Sequence, residues 1–161
     1  CYVPFGTIMI NAGKARHFNA TDRALRWDSR GPDAMTEIYL AIDGDDVGHH
    51  LEYLMLMNSR RELIEFSTSF QSAMDWLKEQ LVRDLSATIV FSGGDNLLAV
   101  LQSDDPQTQV IKELGAKFAE RAHCTLSVGL GGNPRQAYFA LKLAKTSGKN
   151  CIRRFEELAN G

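Results

Sequence analysis

Thr88-Ile89-Val90-Phe91-Ser92-Gly93-Gly94-Asp95-Asn96-Leu97-Leu98-Ala99-Val100-Leu101 is the stretch that decides the reading of this chain. Two apolar runs of strand length are split by a Gly-Gly-Asp-Asn cluster, the pattern of a β-hairpin. Gly93 and Gly94 supply the positive-φ freedom of a tight reversal. Strands this apolar are expected to be central in a sheet or buried on both faces. An acid at the tip of such a hairpin is either a turn former or a metal ligand, and the turn is the commoner use.

Upstream, Ile38-Tyr39-Leu40-Ala41-Ile42 is a strand, apolar throughout and so expected to be central. It ends in Asp43-Gly44-Asp45-Asp46. Val47 to Met57 reads as a short helix and Ser59 to Asp84 as a long one, with Ser59 and Glu62 spaced for a capping box. Leu63, Phe66, Phe70, Met74, Leu77 and Leu81 recur at helical spacing and form one core-facing stripe. Trp76 is read as packing. Downstream, Ser103-Asp104-Asp105-Pro106 is a turn and helix start, with Pro106 suited to the first helical position. Thr125 to Leu130 is a strand. Gly131-Gly132-Asn133-Pro134 opens a helix to Thr146 that Gly148 stops, and Asn150 to Phe155 reads as a short edge strand.

The chain has 161 residues, 44% hydrophobic and 24% charged, which suits one globular domain. A net charge of −2 advertises no broad basic surface, so a long nucleic acid is not an expected partner. Cys1, Cys124 and Cys151 fit neither a disulfide framework nor a zinc pattern. Cys124 and Cys151 are read as small buried hydrophobes of a cytoplasmic protein. The longest apolar stretch, Leu51 to Met57, is too short to cross a bilayer, and no signal peptide is expected. Residues 1–34 begin at Cys1, carry scattered glycines and basic residues, and lack a sustained period. They are expected to be a non-native or disordered extension, with the domain spanning 35–161.

After residue 35 the order of strands and helices fits an α+β, ferredoxin-like palm: a split βαββαβ antiparallel sheet with helices on one face. In that topology the first and third strands are antiparallel neighbours. Asp43, at the end of the first, therefore lies beside the hairpin that carries Asp95. The last helix brings Lys145 and Lys149 back to the same edge.

Two carboxylates a few ångströms apart repel unless a counter-charge separates them. Mg²⁺ or Mn²⁺ suits one or two carboxylates plus water and phosphate oxygens. A pair of such ions assists in-line phosphoryl displacement. Lysines opposite would hold a triphosphate, and Gly44, Gly93 and Gly94 leave room for phosphates near the backbone. The constellation points to nucleotidyl transfer. Plainer readings of each part stay open: Lys145 and Lys149 also suit a helix C-terminus, and Asp45 and Asp46 a turn and cap. His49 and His50 read as an exposed helix start, His123 as a helix end, and Ser127 as local packing with a polar role open.

Ile42-Asp43-Gly44-Asp45-Asp46, Phe91-Ser92-Gly93-Gly94-Asp95-Asn96, Thr125-Leu126-Ser127-Val128-Gly129 and Ala144-Lys145-Thr146-Ser147-Gly148-Lys149-Asn150 resemble the landmarks of the palm-type nucleotide cyclase superfamily. That group includes GGDEF diguanylate cyclases and the palm of type III CRISPR polymerases. The chain resembles in particular the minimal CRISPR polymerase (mCpol) family, over residues 35–155. The resemblance implies Asp43 and Asp95 as catalytic metal ligands, the Gly44 carbonyl as another, and Asp45 or Asp46 as a candidate addition. It implies Lys145, Lys149, Gly93, Gly94 and Asn96 around the triphosphate. It implies Mg²⁺ or Mn²⁺ and conversion of nucleoside triphosphates, ATP before others, into a cyclic di- or oligonucleotide. A homodimer is expected because a site on one sheet edge holds one triphosphate and needs a second molecule opposite. The product would be a second messenger read by a separate effector in anti-phage defence. There are departures. Asn96 replaces the second acid of GGDEF, and the segment Val47 to Glu52 lacks the guanine-reading residues, which puts a guanine substrate in doubt. A hydrolase resembling GTP cyclohydrolase III and a non-catalytic nucleotide-binding sensor are the alternatives.

Overall fold

The computed structural model describes residues 36–158, so the expectations for residues 1–34 lie outside the described residues. The elements run β1 (Glu37–Gly44), α1 (Val47–Leu56), α2 (Arg60–Leu85), β2 (Thr88–Gly93), β3 (Asn96–Gln102), α3 (Thr108–Ala122), β4 (Leu126–Gly131), α4 (Pro134–Thr146) and β5 (Ile152–Arg154), then a 3-10 turn over Phe155–Leu158. The sheet order is β2-β3-β1-β4-β5. β1 is central and antiparallel to both β3 and β4, while β5 adds parallel to β4. This is the α+β palm expected from the order of elements.

Alternation along β1 assigns its two faces. Leu40 and Ile42 join a core with Phe66, Phe70, Met74, Leu77 and Leu81 of α2 and Ile111, Leu114 and Phe118 of α3. The α2 stripe is thus core, and Trp76 packs against it beneath the Arg121 guanidinium. Ala41 turns the other way, onto Ala137 and Leu141 of α4. The sheet therefore carries helices on both faces, which corrects the expectation of a single helical layer. α4 can lie this close because Gly129 has no side chain: a Cβ there would sit 2.1 Å from Leu141 N and 2.2 Å from Ala137 O.

Three local expectations are also corrected. β2 is an edge strand with no buried residue, and Val90 and Phe91 stand exposed, because the sheet ends at β2. Ser59 precedes α2 but its side chain makes no capping bond. Pro106 does not open α3; the chain stays in a turn, with the Gln107 amide donating to Asp105 Oδ1 at 3.0 Å, and the helix begins at Thr108. Asn133 does cap α4, accepting from the Gln136 amide at 3.0 Å, with Pro134 in the first turn. Among the described residues no helix is long and apolar enough to cross a membrane.

Candidate active site

The chemistry-bearing residues gather where β1 ends. Asp43 shares a face with Ala41, so its side chain is on the α4 side of the sheet. Along β1 the step from residue 41 to 43 is about 6.6 Å. Along α4 the step from residue 141 to 145 is about 6 Å. Leu141 sits against Ala41, so one helical turn later Lys145 meets Asp43. The Lys145 ammonium lies 2.8 Å from Asp43 Oδ2, 2.8 Å from the Gly44 carbonyl and 3.0 Å from Asp45 Oδ1.

Asp95 comes to the same edge through the sheet. Asn96 is the register partner of Asp43. The Gly44 amide donates to the Asp95 carbonyl at 3.0 Å, tying the end of β1 to the hairpin turn. Gly94 in that turn has φ +60°, the left-handed region that glycine tolerates. The Asp95 carboxylate accepts from Asn96 Nδ2 at 3.0 Å. Its charge is close enough to act on Asp43: burial raises the Asp43 carboxyl above its usual range, Lys145 opposes this, and Asp95 and Asp45 add to it. The same two acids reinforce the effect of burial on Cys124, whose thiol is pushed up to about 11 and so stays protonated at neutral pH.

A family model of the minimal CRISPR polymerase domain, mCpol, matches residues 39–155, a span holding every residue just described. The chain belongs to the mCpol family. One solved structure supports the fold. The GGDEF domain of DgcB from Caulobacter crescentus, in complex with c-di-GMP, aligns with a TM-score of 0.53 at 16% identity, over 75% of this chain and 79% of that one. The GGDEF domain of YfiN (TpbB) from Pseudomonas aeruginosa gives 0.46 at 14% identity, over 74% and 82% of the two chains. No curated protein matches the sequence. Membership gives a minimal CRISPR polymerase domain, and the first superposition shows the palm fold that it shares with a GGDEF domain.

The other acids of the run Asp43 to Asp46 have different uses. Asp45 is buried, with 4% of its side chain exposed. Its Oδ1 accepts from Ser127 Oγ at 2.7 Å, and its Oδ2 from Thr125 Oγ1 at 2.7 Å and the Asn150 amide at 2.9 Å. Burial alone would raise its pKa, but these bonds and Lys145 outweigh that and hold it below the usual carboxylate value. With its oxygens so engaged, Asp45 is a positioning residue that fastens β4 and the segment after α4 to the end of β1. Asp46 precedes α1 with φ 59° and pairs with Lys149 and, at 3.3 Å, with His49. Lys149 therefore reaches the edge but faces Asp46 rather than Asp43. Lys149 and Asn150 both have positive φ, and this bend aims the Asn150 amide at Asp45. The His50 ring packs at a tilt of 58° against Phe66, with ring centroids 4.4 Å apart.

Thr125 and Ser127, plain strand residues by sequence apart from the open polar role of Ser127, are the hydroxyl donors that hold Asp45. Their signal is the strand period: two hydroxyls two residues apart on an otherwise apolar strand share one face. That face lies beside the end of β1, since Ser127 is the register partner of Asp43.

Among the described residues no three His, Cys, Asp or Glu side chains form a ready metal cluster. The edge offers two carboxylates, Asp43 and Asp95, and the Gly44 carbonyl. All are hard oxygen donors. Two of them already converge on a cation, the Lys145 ammonium. That donor set fits Mg²⁺ or Mn²⁺, which take few carboxylates and fill the remaining positions with water and phosphate oxygen.

Proposed function

We infer that this mCpol chain is a metal-dependent nucleotidyltransferase that joins nucleoside triphosphates, ATP before others, into a cyclic di- or oligonucleotide. The observation that carries the reading is the convergence of the Asp43 carboxylate and the Gly44 carbonyl on one cation beside the Asp95 turn. In the reaction a ribose hydroxyl oxygen bonds to the α-phosphorus of a second nucleotide. The bond from that phosphorus to the bridging oxygen breaks, pyrophosphate leaves, and the hydroxyl proton passes to solvent. Repetition closes the ring. Asp43, Asp95 and the Gly44 carbonyl would hold Mg²⁺ or Mn²⁺, which would supply charge neutralisation and a more acidic hydroxyl. Lys145 and a divalent cation compete for the same oxygens, and the alternative partner of the ammonium is the triphosphate. Lys149, Gly93, Gly94 and Asn96 border the phosphate path. A homodimer is part of this proposal, because one edge grips one triphosphate and the reaction needs a second opposite it. The setting in anti-phage defence, with a separate effector reading the product, rests on the family.

The test is to incubate the protein with Mg²⁺ and each labelled triphosphate in turn and to identify products by mass spectrometry. A cyclic phosphodiester from ATP is expected, and its absence from every triphosphate counts against the reading. The GTP arm separates the hydrolase resembling GTP cyclohydrolase III, which would give formamidopyrimidine absorbance and no phosphodiester. One observation favours a sensor instead: Lys145 closes an ion pair over Asp43 and Asp45. Nucleotide binding without turnover, and with Mg²⁺ dispensable, would support it.

A further inference from the structure

The face of the sheet that α4 occupies is only partly covered, because α4 packs on β4, β1 and β5. Between α4 and the β2–β3 hairpin lies a cavity of about 300 Å³ lined by Phe91, Asn96, Leu98, Pro134, Tyr138 and Leu141. It adjoins the catalytic edge, since Asn96 pairs with Asp43 across β3 and β1.

Two features of its walls go beyond packing. Phe91 and Tyr138 are 56% and 52% exposed, so neither ring serves the core. Phe91 also reaches this face through an irregularity in β2. The ladder runs from Ile89 opposite Ala99 to Phe91 opposite Leu98, leaving Val90 as an extra residue. An unbroken ladder would set Phe91 opposite Leu97 and send it to the α2–α3 side. A bulge is a means of re-aiming a side chain, and bulges concentrate beside active sites. The amide at the cavity is that of Asn96. One N–H of its amide donates to Asp95. The chemistry of the amide leaves its oxygen able to accept and its second N–H able to donate.

An apolar slot with exposed rings on its hairpin and helix walls, and one amide at its edge, suits a flat, π-faced, hydrogen-bonding base. An amide that accepts and donates together matches the edge of adenine. We propose that the slot between α4 and the β2–β3 hairpin is the base subsite for a substrate nucleotide, with Phe91 and Tyr138 holding the base and Asn96 reading its edge. The proposal rests on the nucleotidyl-transfer reading above and adds to it the location of the base.

The experiment titrates 2-aminopurine riboside triphosphate, whose fluorescence is quenched by stacking, into the full chain. Phe91→Ala and Tyr138→Ala are each expected to weaken binding about tenfold and to lift the quenching. Phe91→Tyr is expected to retain both. Inorganic tripolyphosphate is expected to bind wild type and variants alike. Both rings are exposed, so the variants' thermal melts by circular dichroism are expected to match wild type. Unchanged affinity and quenching in both ringless variants, with cyclic product still formed from ATP, overturns the base subsite and leaves nucleotidyl transfer standing. Quenching that depends on both rings, with no cyclic product from any triphosphate, supports the subsite and overturns the transfer. A nucleotide-free dimer that Phe91→Ala dissociates, with nucleotide affinity unchanged, assigns this face to a second copy and overturns the proposal.

Discussion

β4 and β2 are both apolar strands in sequence, and the molecule uses them in opposite ways. Every residue of β4 is buried, and none of β2 is. The contrast continues into the candidate site. On the β4 side, Asp45 is fastened by Thr125, Ser127, Asn150 and Lys145. On the hairpin side, Asp95 sits in a two-residue turn and accepts a side-chain bond from its neighbour Asn96. One half of the edge is built to hold position, and the other is left accessible to a ligand. The difference teaches that an apolar strand says little about burial until its place in the sheet order is known.

Gly129 is where the rigid half breaks most easily. A side chain there collides with the α4 backbone, so Gly129→Val is expected to cost about 3 kcal/mol or more, read as a lower urea midpoint. Asp45→Ala comes next. It orphans two hydroxyls and an amide and leaves Lys145 with the Asp43 carboxylate and the Gly44 carbonyl, for an expected loss of about 3 kcal/mol. A loss near zero would show that the β4 side is no more rigid than the hairpin. The same carboxylate sets a pH dependence. Its folded value lies below the usual 3.8, so its stabilisation is full above that value and fades as pH falls through the lower one. The stability gap between wild type and Asp45→Asn is therefore expected to narrow as denaturant titrations move from about pH 6 to about pH 3.

The open half answers more weakly in stability. Gly94→Ala meets no neighbour within 4 Å but forces φ +60° on an alanine, at about 1 kcal/mol. Asp95→Ala is expected to shift stability by no more than about 0.5 kcal/mol while abolishing product formation. That split between folding and activity sharpens the contrast most.

Much of this arrangement is legible in the sequence for physical reasons. The hairpin follows from its Gly-Gly-Asp-Asn cluster, although Gly94 and not Gly93 takes the positive φ. The placing of Asp95 beside the end of β1 follows from topology once the strand order is guessed. The α2 stripe follows from helical spacing. What escapes is set by tertiary placement. Thr88-Ile89-Val90-Phe91 has the composition of a buried strand, and only the sheet order puts it at an edge. The bulge at Val90 has no glycine or proline to announce it. Asp45 and Asp46 are neighbours in one acidic run, yet burial gives the first four hydrogen-bonding partners and solvent gives the second a lysine and a histidine. Lys149 is a helix-end cation by position. Its pairing with Asp46 depends on the left-handed bend through Lys149 and Asn150, which non-glycine residues do not advertise.

We propose that Asp43 and Asp95 share a divalent cation at one sheet edge. Mn²⁺ titration followed by electron paramagnetic resonance, with a non-hydrolysable α,β-methylene ATP analogue present, tests it directly. Wild type is expected to bind Mn²⁺, and Asp43→Ala and Asp95→Ala each to weaken that binding at least about tenfold while remaining folded. Mn²⁺ affinity unchanged by either substitution would contradict the account.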